Sequence, residues 1–284
     1  MRRTWKAAAV GLAQLALLAV PVGHAGAATA SGYNDATCRP TAAHPDPVVL
    51  IHGLGANGDE NFSYLGPALA SAGYCAYSFT YGQKYPSGPG GMQAIADSAP
   101  QVAAEIDHVL ATTGAAKVDL VGHSEGAFMS LYVPKVLGYA PKVGRVVSLA
   151  PPTHGTTMDG LVTLGQTLGG QALVNAFTDG AQCQACTDLV VGGPAVNRLT
   201  TGPIAQSGVA YTVVATKYDT VVTTPSTAFV QEPGVKNLYV QDACPNDPTG
   251  HVGIAVDQTI LSLVTHGLNP ADTTPVACGY GPPF

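Results

Sequence analysis

Ser124 stands at the centre of a Gly-x-Ser-x-Gly pentapeptide, residues 122–126 (GHSEG). An apolar run, Val118 to Val121, precedes the pentapeptide, and a helix-compatible stretch, Ala127 to Tyr132, follows it. A strand, a sharp turn and a helix in this order hold the serine in a strained backbone conformation, and the two glycines leave room for the neighbouring strand and helix. The pattern predicts Ser124 as a nucleophile; the alternative is a chance match in a chain with 34 glycines.

A serine hydroxyl is a weak nucleophile at neutral pH, so it needs a base, and the base needs an acid that orients it. Asp219 follows the apolar run Val209 to Thr216, and His251 follows the last apolar run of strand length. Serine, acid and histidine in this chain order form one of the known triad arrangements. We therefore expect Asp219 as the acid and His251 as the base, with Asp242 at the end of the last predicted strand as the alternative acid.

The remaining histidines occupy positions that suit a general base less well. One belongs to the N-terminal segment, one precedes the first predicted strand, and one adjoins a glycine-rich loop. Two lie in or at the end of a predicted helix, and one begins a long excursion. The last sits inside the pentapeptide and points away from the serine. These residues are His24, His44, His52, His108, His123, His154 and His266.

An acyl-transfer intermediate carries a negative oxygen that needs two hydrogen-bond donors. The backbone N–H of Glu125, directly after the nucleophile, is one expected donor, and the N–H of Leu54 in the loop His52-Gly53-Leu54-Gly55 is the other. Seen alone, this loop could equally be an ordinary glycine-rich turn. Because the Glu125 carboxylate starts a helix, where negative charge is favourable, we expect its side chain to be structural.

Apolar runs of strand length alternate with helix-like patterns along the chain. The predicted strands are Val48–Ile51, Ala76–Tyr81, Val118–Val121, Val143–Leu149, Val209–Thr216 and Asn237–Gln241. The predicted helices are Phe62–Ala72, Met92–Thr113, Ala127–Leu137 and Val252–His266. The alternation predicts an α/β fold with a mostly parallel central sheet, helices on both faces and functional residues at the carboxyl ends of the strands.

Residues 153–207 form an excursion of moderate hydrophobicity between two predicted strands. An excursion this long inside a compact domain usually has a function, so we expect a lid or cap over the site. An insertion that only packs on the core is the alternative, because long surface insertions cost little stability.

The N-terminal segment, residues 1–30, has the features of a cleaved signal peptide. Arg2, Arg3 and Lys6 precede an apolar run, Ala7 to Val22, and small-residue cleavage patterns end at residues 27 and 30. A signal anchor is the alternative, although the apolar run is short for a membrane span. We therefore expect an exported protein with a single domain over residues 31–284.

The charge balance bears on the partners of this domain. Without residues 1–30, nine Lys and Arg face eighteen Asp and Glu, a formal charge of −9. An acidic surface of this kind makes nucleic acid an unsuitable partner. Beyond the N-terminal segment no apolar run is long enough to span a membrane. No second cysteine pair and no histidine pair at zinc spacing accompanies Cys183 and Cys186, so we expect neither a stable span nor a metal.

The six cysteines all follow residue 30, and an even number in an exported chain predicts disulfides. Six cysteines allow fifteen pairings, so position along the predicted elements has to guide the choice. The positions favour Cys38–Cys75, Cys183–Cys186 and Cys244–Cys278, the last of which would tie the C-terminal tail to the loop before His251. A redox or metal motif at residues 183–186 is the alternative.

Four segments of the chain together resemble the secreted bacterial lipases of the class 2 lipase family, within the α/β-hydrolase fold. They are the GHSEG pentapeptide, the His52-Gly53 loop, the segment Tyr218-Asp219-Thr220-Val221-Val222-Thr223, and Gln241-Asp242-Ala243-Cys244-Pro245 followed by His251. The resemblance spans residues 38–278, although Ala127 stands where many relatives carry a second glycine.

The resemblance implies hydrolysis of acylglycerols or other carboxylic esters by Ser124, Asp219 and His251, with no metal or cofactor. We also expect a monomer, for which a lipid–water interface is a possible place of action. A carboxylesterase for short soluble esters, an acyltransferase or polyester depolymerase, and an inactive exported binding protein are the alternatives.

Overall fold

The computed structural model describes residues 32–284, and the predicted signal peptide lies outside the described residues. Six strands form one sheet in the order β2-β1-β3-β4-β5-β6, and every neighbouring pair is parallel. The strands are β1 Val48–Ile51, β2 Ala76–Ser78, β3 Val118–His123, β4 Val143–Leu149, β5 Ala210–Ala215 and β6 Val235–Tyr239.

Helices connect the strands and cover both faces of the sheet. They are α1 Gly58–Asn61, α2 Leu65–Ser71, α3 Ile95–Thr113, α4 Glu125–Val136, α5 Met158–Gly169, α6 Gln171–Thr178, α7 Gln184–Leu189, α8 Pro194–Thr200, α9 Val240–Ala243 and α10 Gln258–Leu268. Short 3-10 turns lie at Ala140–Lys142, Pro225–Ala228 and Gly253–Ala255.

The apolar side chains of the strands divide between two cores. Along β1, Val49 and Ile51 join the core under α3 and α4, whereas Val48 and Leu50 join the core under α2 and α10. Successive side chains of a strand point to opposite faces, so an uninterrupted apolar run is what a sheet covered on both sides requires. The predicted α/β architecture, a parallel sheet between helices, is confirmed.

Element boundaries differ from the sequence prediction near the C-terminus. Strand β6 ends at Tyr239, because Val240 and Gln241 already belong to α9. Helix α10 begins at Gln258 and not at Val252, because the Asp257 side chain accepts the N–H of Thr259 and caps the helix there. Between them a 3-10 turn follows His251.

The excursion 153–207 folds into the four helices α5 to α8, which follow the carboxyl end of β4. Helices α5 and α6 pack on each other as a hairpin around Gly165, where a Cβ would lie 2.9 Å from the N atom of Val174. Thr156 at the base of the excursion bonds to the carbonyl of Val221 in the segment after β5. The excursion thus lies at the edge of the sheet where the predicted site residues stand.

The six cysteines form the three pairs that their positions favoured, Cys38–Cys75, Cys183–Cys186 and Cys244–Cys278. The first pair links the segment before β1 to the residue before β2, and the third links the end of α9 to the C-terminal tail. Over residues 32–284, no helix combines the length and apolarity that crossing a membrane would take.

Candidate active site

Ser124 occupies the turn between β3 and α4 with φ 54° and ψ −118°, a conformation that residues with a side chain rarely adopt. Both glycines of the pentapeptide are needed for close packing. A Cβ on Gly126 would collide with the carbonyl oxygen of Ile51 on β1, and a Cβ on Gly122 would collide with the carbonyl of Gly126. The turn thus presents a strained serine at the carboxyl end of the sheet.

His251 lies between Ser124 and Asp219 and contacts both. Its Nε2 is 2.9 Å from Ser124 Oγ, and its Nδ1 is 2.8 Å from Asp219 Oδ2. The ring of His251 is fully buried. A proton on Nδ1, shared with the carboxylate, leaves Nε2 free to accept the serine proton, which is the arrangement a general base needs.

The carboxylate of Asp219 is held by backbone donors as well as by the histidine. Its Oδ1 accepts the N–H groups of Val221 and Val222, each at 2.8 Å. These bonds fix the side chain in the tight turn after β5. The alternative acid, Asp242, is half-exposed, pairs with Lys217 at 2.8 Å and accepts the N–H of Tyr239, so the geometry brings Asp219 to His251.

The two expected oxyanion donors belong to residues near Ser124, one in the loop after β1 and one at the start of α4. Leu54 is buried in the loop after β1, and a Cβ on the preceding Gly53 would lie 3.1 Å from the Ser124 Cβ. Glu125 begins α4, so its N–H has no partner within that helix. Within residues 32–284 the N–H of Leu54 donates to no protein acceptor, so both donors are available to a ligand.

An apolar cavity of about 220 Å³ opens above Ser124. The excursion contributes Leu164, Leu168 and Leu173 to its wall, and Val252 lines the side next to His251. A second, much smaller space of about 10 Å³ lies on the other side of Ser124, among Leu161, Leu164, Leu189, Val221 and Val222. The open cavity offers apolar walls to an apolar chain attached to a carbonyl at Ser124, whereas the narrow space has room for about one water molecule.

His123, the histidine of the pentapeptide, is buried beside the site and contacts Asn61 and the backbone of His251. His123 places Nε2 2.9 Å from the carbonyl of His251 and Nδ1 3.1 Å from Asn61 Oδ1. The same Asn61 oxygen accepts the N–H of Gly53 at 2.8 Å. Burial and the neighbouring His251 lower the pKa of His123 to about 3, so its ring is neutral and donates to one of the two oxygens. The ring of His123 therefore lies between Asn61, which holds the loop of Leu54, and the backbone of His251, and it donates a hydrogen bond to one of them.

The C-terminal tail braces the loop that carries His251. The carbonyl of Phe284 accepts the N–H groups of Val252 and Gly253 at 2.9 and 2.7 Å, and Pro282 accepts that of Gly250 at 2.9 Å. Sequence reasoning found neither this contact nor Asn61. In the sequence, the cysteine of the tail was the only sign of its role, and nothing indicated a role for Asn61. Both segments act through tertiary contacts, and such contacts leave no periodic pattern in the sequence.

The family model described as the alpha/beta hydrolase fold matches residues 46–172, which run from just before β1 into α6. Together with the six-stranded parallel sheet and the serine at the turn after β3, this match gives the class of the protein. The chain has the α/β-hydrolase fold.

Two curated proteins that the chain resembles in sequence are triacylglycerol lipases. A triacylglycerol lipase of Burkholderia plantarii is 34% identical over 149 residues, which are 50% of this chain and 39% of that protein. A triacylglycerol lipase of Pseudarthrobacter phenanthrenivorans is 35% identical over 117 residues, 39% of this chain and 34% of that protein. The chain thus spans well under half the length of both relatives.

The structure is also similar to that of lipase B from Aspergillus fumigatus. The TM-score is 0.64 at 17% identity, and the alignment covers 86% of this chain and 57% of the other. At this identity the likeness supports the fold.

Proposed function

We propose that this protein is a carboxylic ester hydrolase and, within that class, a triacylglycerol lipase that is exported and acts as a monomer. The observation that carries the proposal is the buried chain of hydrogen bonds from Ser124 through His251 to Asp219, which faces an apolar cavity. The names of the two curated relatives support the lipid substrate.

In the proposed reaction Ser124 Oγ attacks the ester carbonyl carbon while His251 Nε2 takes the serine proton. The negative oxygen of the tetrahedral intermediate accepts the N–H groups of Leu54 and Glu125. When the C–O bond breaks, His251 returns the proton to the departing alkoxide, which leaves as the alcohol. An acyl-serine remains.

Water completes the cycle by the same steps. His251 takes a proton from the water as its oxygen attacks the acyl carbon, and the second tetrahedral intermediate uses the same two donors. The proton then passes to Ser124 Oγ as the carboxylic acid leaves. Asp219 stays ionised throughout and stabilises the imidazolium form of His251.

The excursion 153–207 supplies the cover of the site in this proposal. Its leucines line the cavity above Ser124, and Leu168 is 38% exposed at the same time. Val256, 42% exposed, lies on the opposite wall of that cavity. Exposed apolar side chains at the rim suit contact with a lipid surface, and the three disulfides suit export.

The first experiment measures hydrolysis of p-nitrophenyl esters from acetate to palmitate and of emulsified tributyrin and triolein. We expect turnover of long chains and triolein by the wild type and none by Ser124→Ala. The small volume of the cavity, about 220 Å³, favours a second candidate, a carboxylesterase. Activity confined to short soluble esters would select that candidate.

The same preparation tests the remaining alternative, a protein without catalysis. A phosphonate that reacts with activated serines should label the wild type at Ser124 and leave Ser124→Ala unlabelled. A wild type that neither reacts nor hydrolyses any ester would contradict the proposed class of enzyme.

A further inference from the structure

A buried hydrogen-bonded cluster lies behind the elbow and includes the side chain of Glu125. Tyr81 Oη is 2.9 Å from the carbonyl oxygen of His52 and 3.1 Å from Glu125 Oε1. Tyr81 is 1% exposed, and Glu125 and His52 are fully buried. Every partner in this cluster therefore has to come from the protein.

The number of protons available decides how the three groups bond. A tyrosine hydroxyl donates one hydrogen, and a backbone carbonyl can only accept, so the Tyr81 proton goes to the oxygen of His52. The contact between Tyr81 and Glu125 is then a hydrogen bond only if the carboxyl group of Glu125 is protonated and donates to the tyrosine oxygen. An ionised Glu125 would leave two acceptors competing for one proton.

The surroundings of Glu125 favour the protonated form. Burial raises the pKa of Glu125 well above its usual range, and the negative charge of Asp188 on α7 adds to the shift, although the contact with Tyr81 opposes it. Its second oxygen, Oε2, has no hydrogen-bond partner among residues 32–284. An unpartnered oxygen costs much less on a neutral acid than on a buried carboxylate.

The ring of His52 fixes the other side of the cluster. Nδ1 donates to the carbonyl of Gly53 at 2.8 Å, and Nε2 accepts the N–H of Tyr81 at 3.2 Å. Burial lowers the pKa of His52 to about 4, so the ring is neutral, as one donor and one acceptor require. The ring also stacks on that of Tyr81 with centroids 4.4 Å apart.

The cluster joins the two backbone segments that carry the proposed oxyanion donors. One end is the loop that leads from His52 to Leu54, and the other is the first residue of α4. We propose that Glu125 is a positioning residue that acts as a neutral carboxylic acid, an inference that rests on the proposed function. The Glu125 O–H donates to Tyr81 Oη, and the Tyr81 O–H donates to the carbonyl of His52. These two hydrogen bonds hold the N–H of Leu54 at a fixed distance from the N–H of Glu125.

The glycine-rich loop before α3 closes this cluster. Gly90 pairs with the Leu54 loop, since the N–H of Gly55 donates to the Gly90 carbonyl at 2.9 Å and the N–H of Gly90 donates to the carbonyl of Ala56 at 2.8 Å. A Cβ on Gly91 would lie 2.7 Å from Glu125 Oε2. The loop therefore packs directly against the acid and excludes solvent from it.

The kinetic test compares three single variants and one double variant on a soluble p-nitrophenyl ester. Glu125→Gln keeps a hydrogen donor and should stay within about threefold of wild-type kcat, whereas Glu125→Met and Tyr81→Phe should lower kcat by about 10- to 100-fold, somewhat less than removal of an oxyanion donor itself. KM should change little in all of them. The double variant Glu125→Met/Tyr81→Phe should be no worse than the single ones, because both break the same connection.

Three kinetic outcomes would overturn the proposal. They are a Glu125→Gln variant as impaired as Glu125→Met, a loss that falls on KM alone, and full activity in Tyr81→Phe. Circular dichroism identifies variants that do not fold, and Tyr81→Phe, which keeps the ring in place, serves if Glu125→Met is one of them.

Infrared spectroscopy tests the protonation directly and needs no catalysis. The wild type at pH 8 should show a protonated carboxylic-acid carbonyl band that is missing in Glu125→Gln and kept in Asp188→Asn. Absence of this band overturns the proposal whatever the enzymatic activity. A band present in a protein that hydrolyses no ester would instead count against the proposed function, while the neutral acid stands.

Discussion

Two buried aspartates lie at opposite ends of the sheet and differ in how their oxygens are satisfied. Asp219, after the carboxyl end of β5, accepts bonds from His251, Val221 and Val222. Asp119, near the amino end of β3, faces Arg145 at 3.5 Å, and its Oδ1 has no partner among the described residues. Both side chains are almost completely removed from solvent.

The difference shows that burial alone does not make a reactive carboxylate. At the carboxyl end, converging turns supply N–H donors and an imidazole, so the charge of Asp219 is compensated and directed at one neighbour. At the amino end, burial raises the pKa of Asp119 to about 7, although Arg145 opposes the shift. The first carboxylate serves the proposed chemistry, whereas the second only affects stability.

The largest effect should come from the nucleophile at the carboxyl end. Ser124→Ala should lower kcat by about 10⁶-fold, because the acyl-enzyme can no longer form. The melting temperature should not fall, since the substitution removes a single oxygen from a strained residue. Steady-state kinetics with calorimetry checks both parts, and residual turnover near the wild-type value would remove Ser124 from the mechanism.

Asp219→Asn should lower kcat by about 10⁴-fold, because an amide no longer holds His251 in the tautomer that accepts the serine proton. The matched control is Asp242→Asn, which changes an exposed carboxylate that pairs with Lys217 and not with the histidine. We expect its kcat to match the wild type. Equal losses in the two variants, measured on the same ester, would contradict the assignment of Asp219.

Asp119 should affect stability and leave activity unchanged. Because the pKa of Asp119 is raised in the folded state, the folded protein holds the proton more tightly, and the free energy of unfolding should fall as pH rises from about 4 to about 7. The fall amounts to about 4 kcal/mol at most, since about three pKa units separate the two states. Above pH 7 this contribution stays lost.

Denaturant titrations of the wild type and Asp119→Asn across this pH range test the assignment. The variant should show a flatter pH dependence and keep wild-type kcat. Asp257, whose pKa burial and its neighbour Asp247 raise to about 6, contributes to the slope that remains, and so does Glu125, whose pKa burial raises well above its usual range. A variant as steep as the wild type would show that Asp119 is not the group that titrates.

The smallest effects should come from removing disulfides, and the expected difference is between a long-range and a local bridge. Cys244→Ser/Cys278→Ser opens a loop of 34 residues and should cost about 2–4 kcal/mol of stability. Cys183→Ser/Cys186→Ser opens a loop with a separation of three and should cost less. The bridge Cys244–Cys278 ties the tail to the loop before His251. On heating, the variant without this bridge should therefore lose activity at least as early as it loses the circular dichroism signal of the fold. Activity that outlasts the folded signal would contradict this coupling.

The residues proposed to react could be predicted to meet at one edge of the sheet, because each one follows a strand. Ser124, Asp219 and His251 all come after apolar runs, and parallel strands bring their carboxyl ends together at one edge. The same pattern predicted the central strands correctly, since β1 and β4 have the expected bounds. Side-chain periodicity and strand order are properties of the chain itself.

The supporting contacts could not be predicted in this way. Asn61, Tyr81 and the tail at Phe284 reach the site from segments that carry no motif, and each acts through a single tertiary hydrogen bond or pair of bonds. The start of α10 was wrong because a side-chain cap at Asp257 outweighed the apolar pattern that begins at Val252. Local propensity does not contain such long-range partners.

Leu164 on α5 lines both spaces that flank Ser124, the open cavity and the narrow one. An ester bound at Ser124 sends its acid half and its alcohol half in different directions. A smaller side chain at Leu164 would therefore enlarge both spaces at once, and Leu54 borders both as well. Val222 borders only the narrow space and Leu168 only the open cavity, so substitutions at these two positions would alter the room on each side of Ser124 separately.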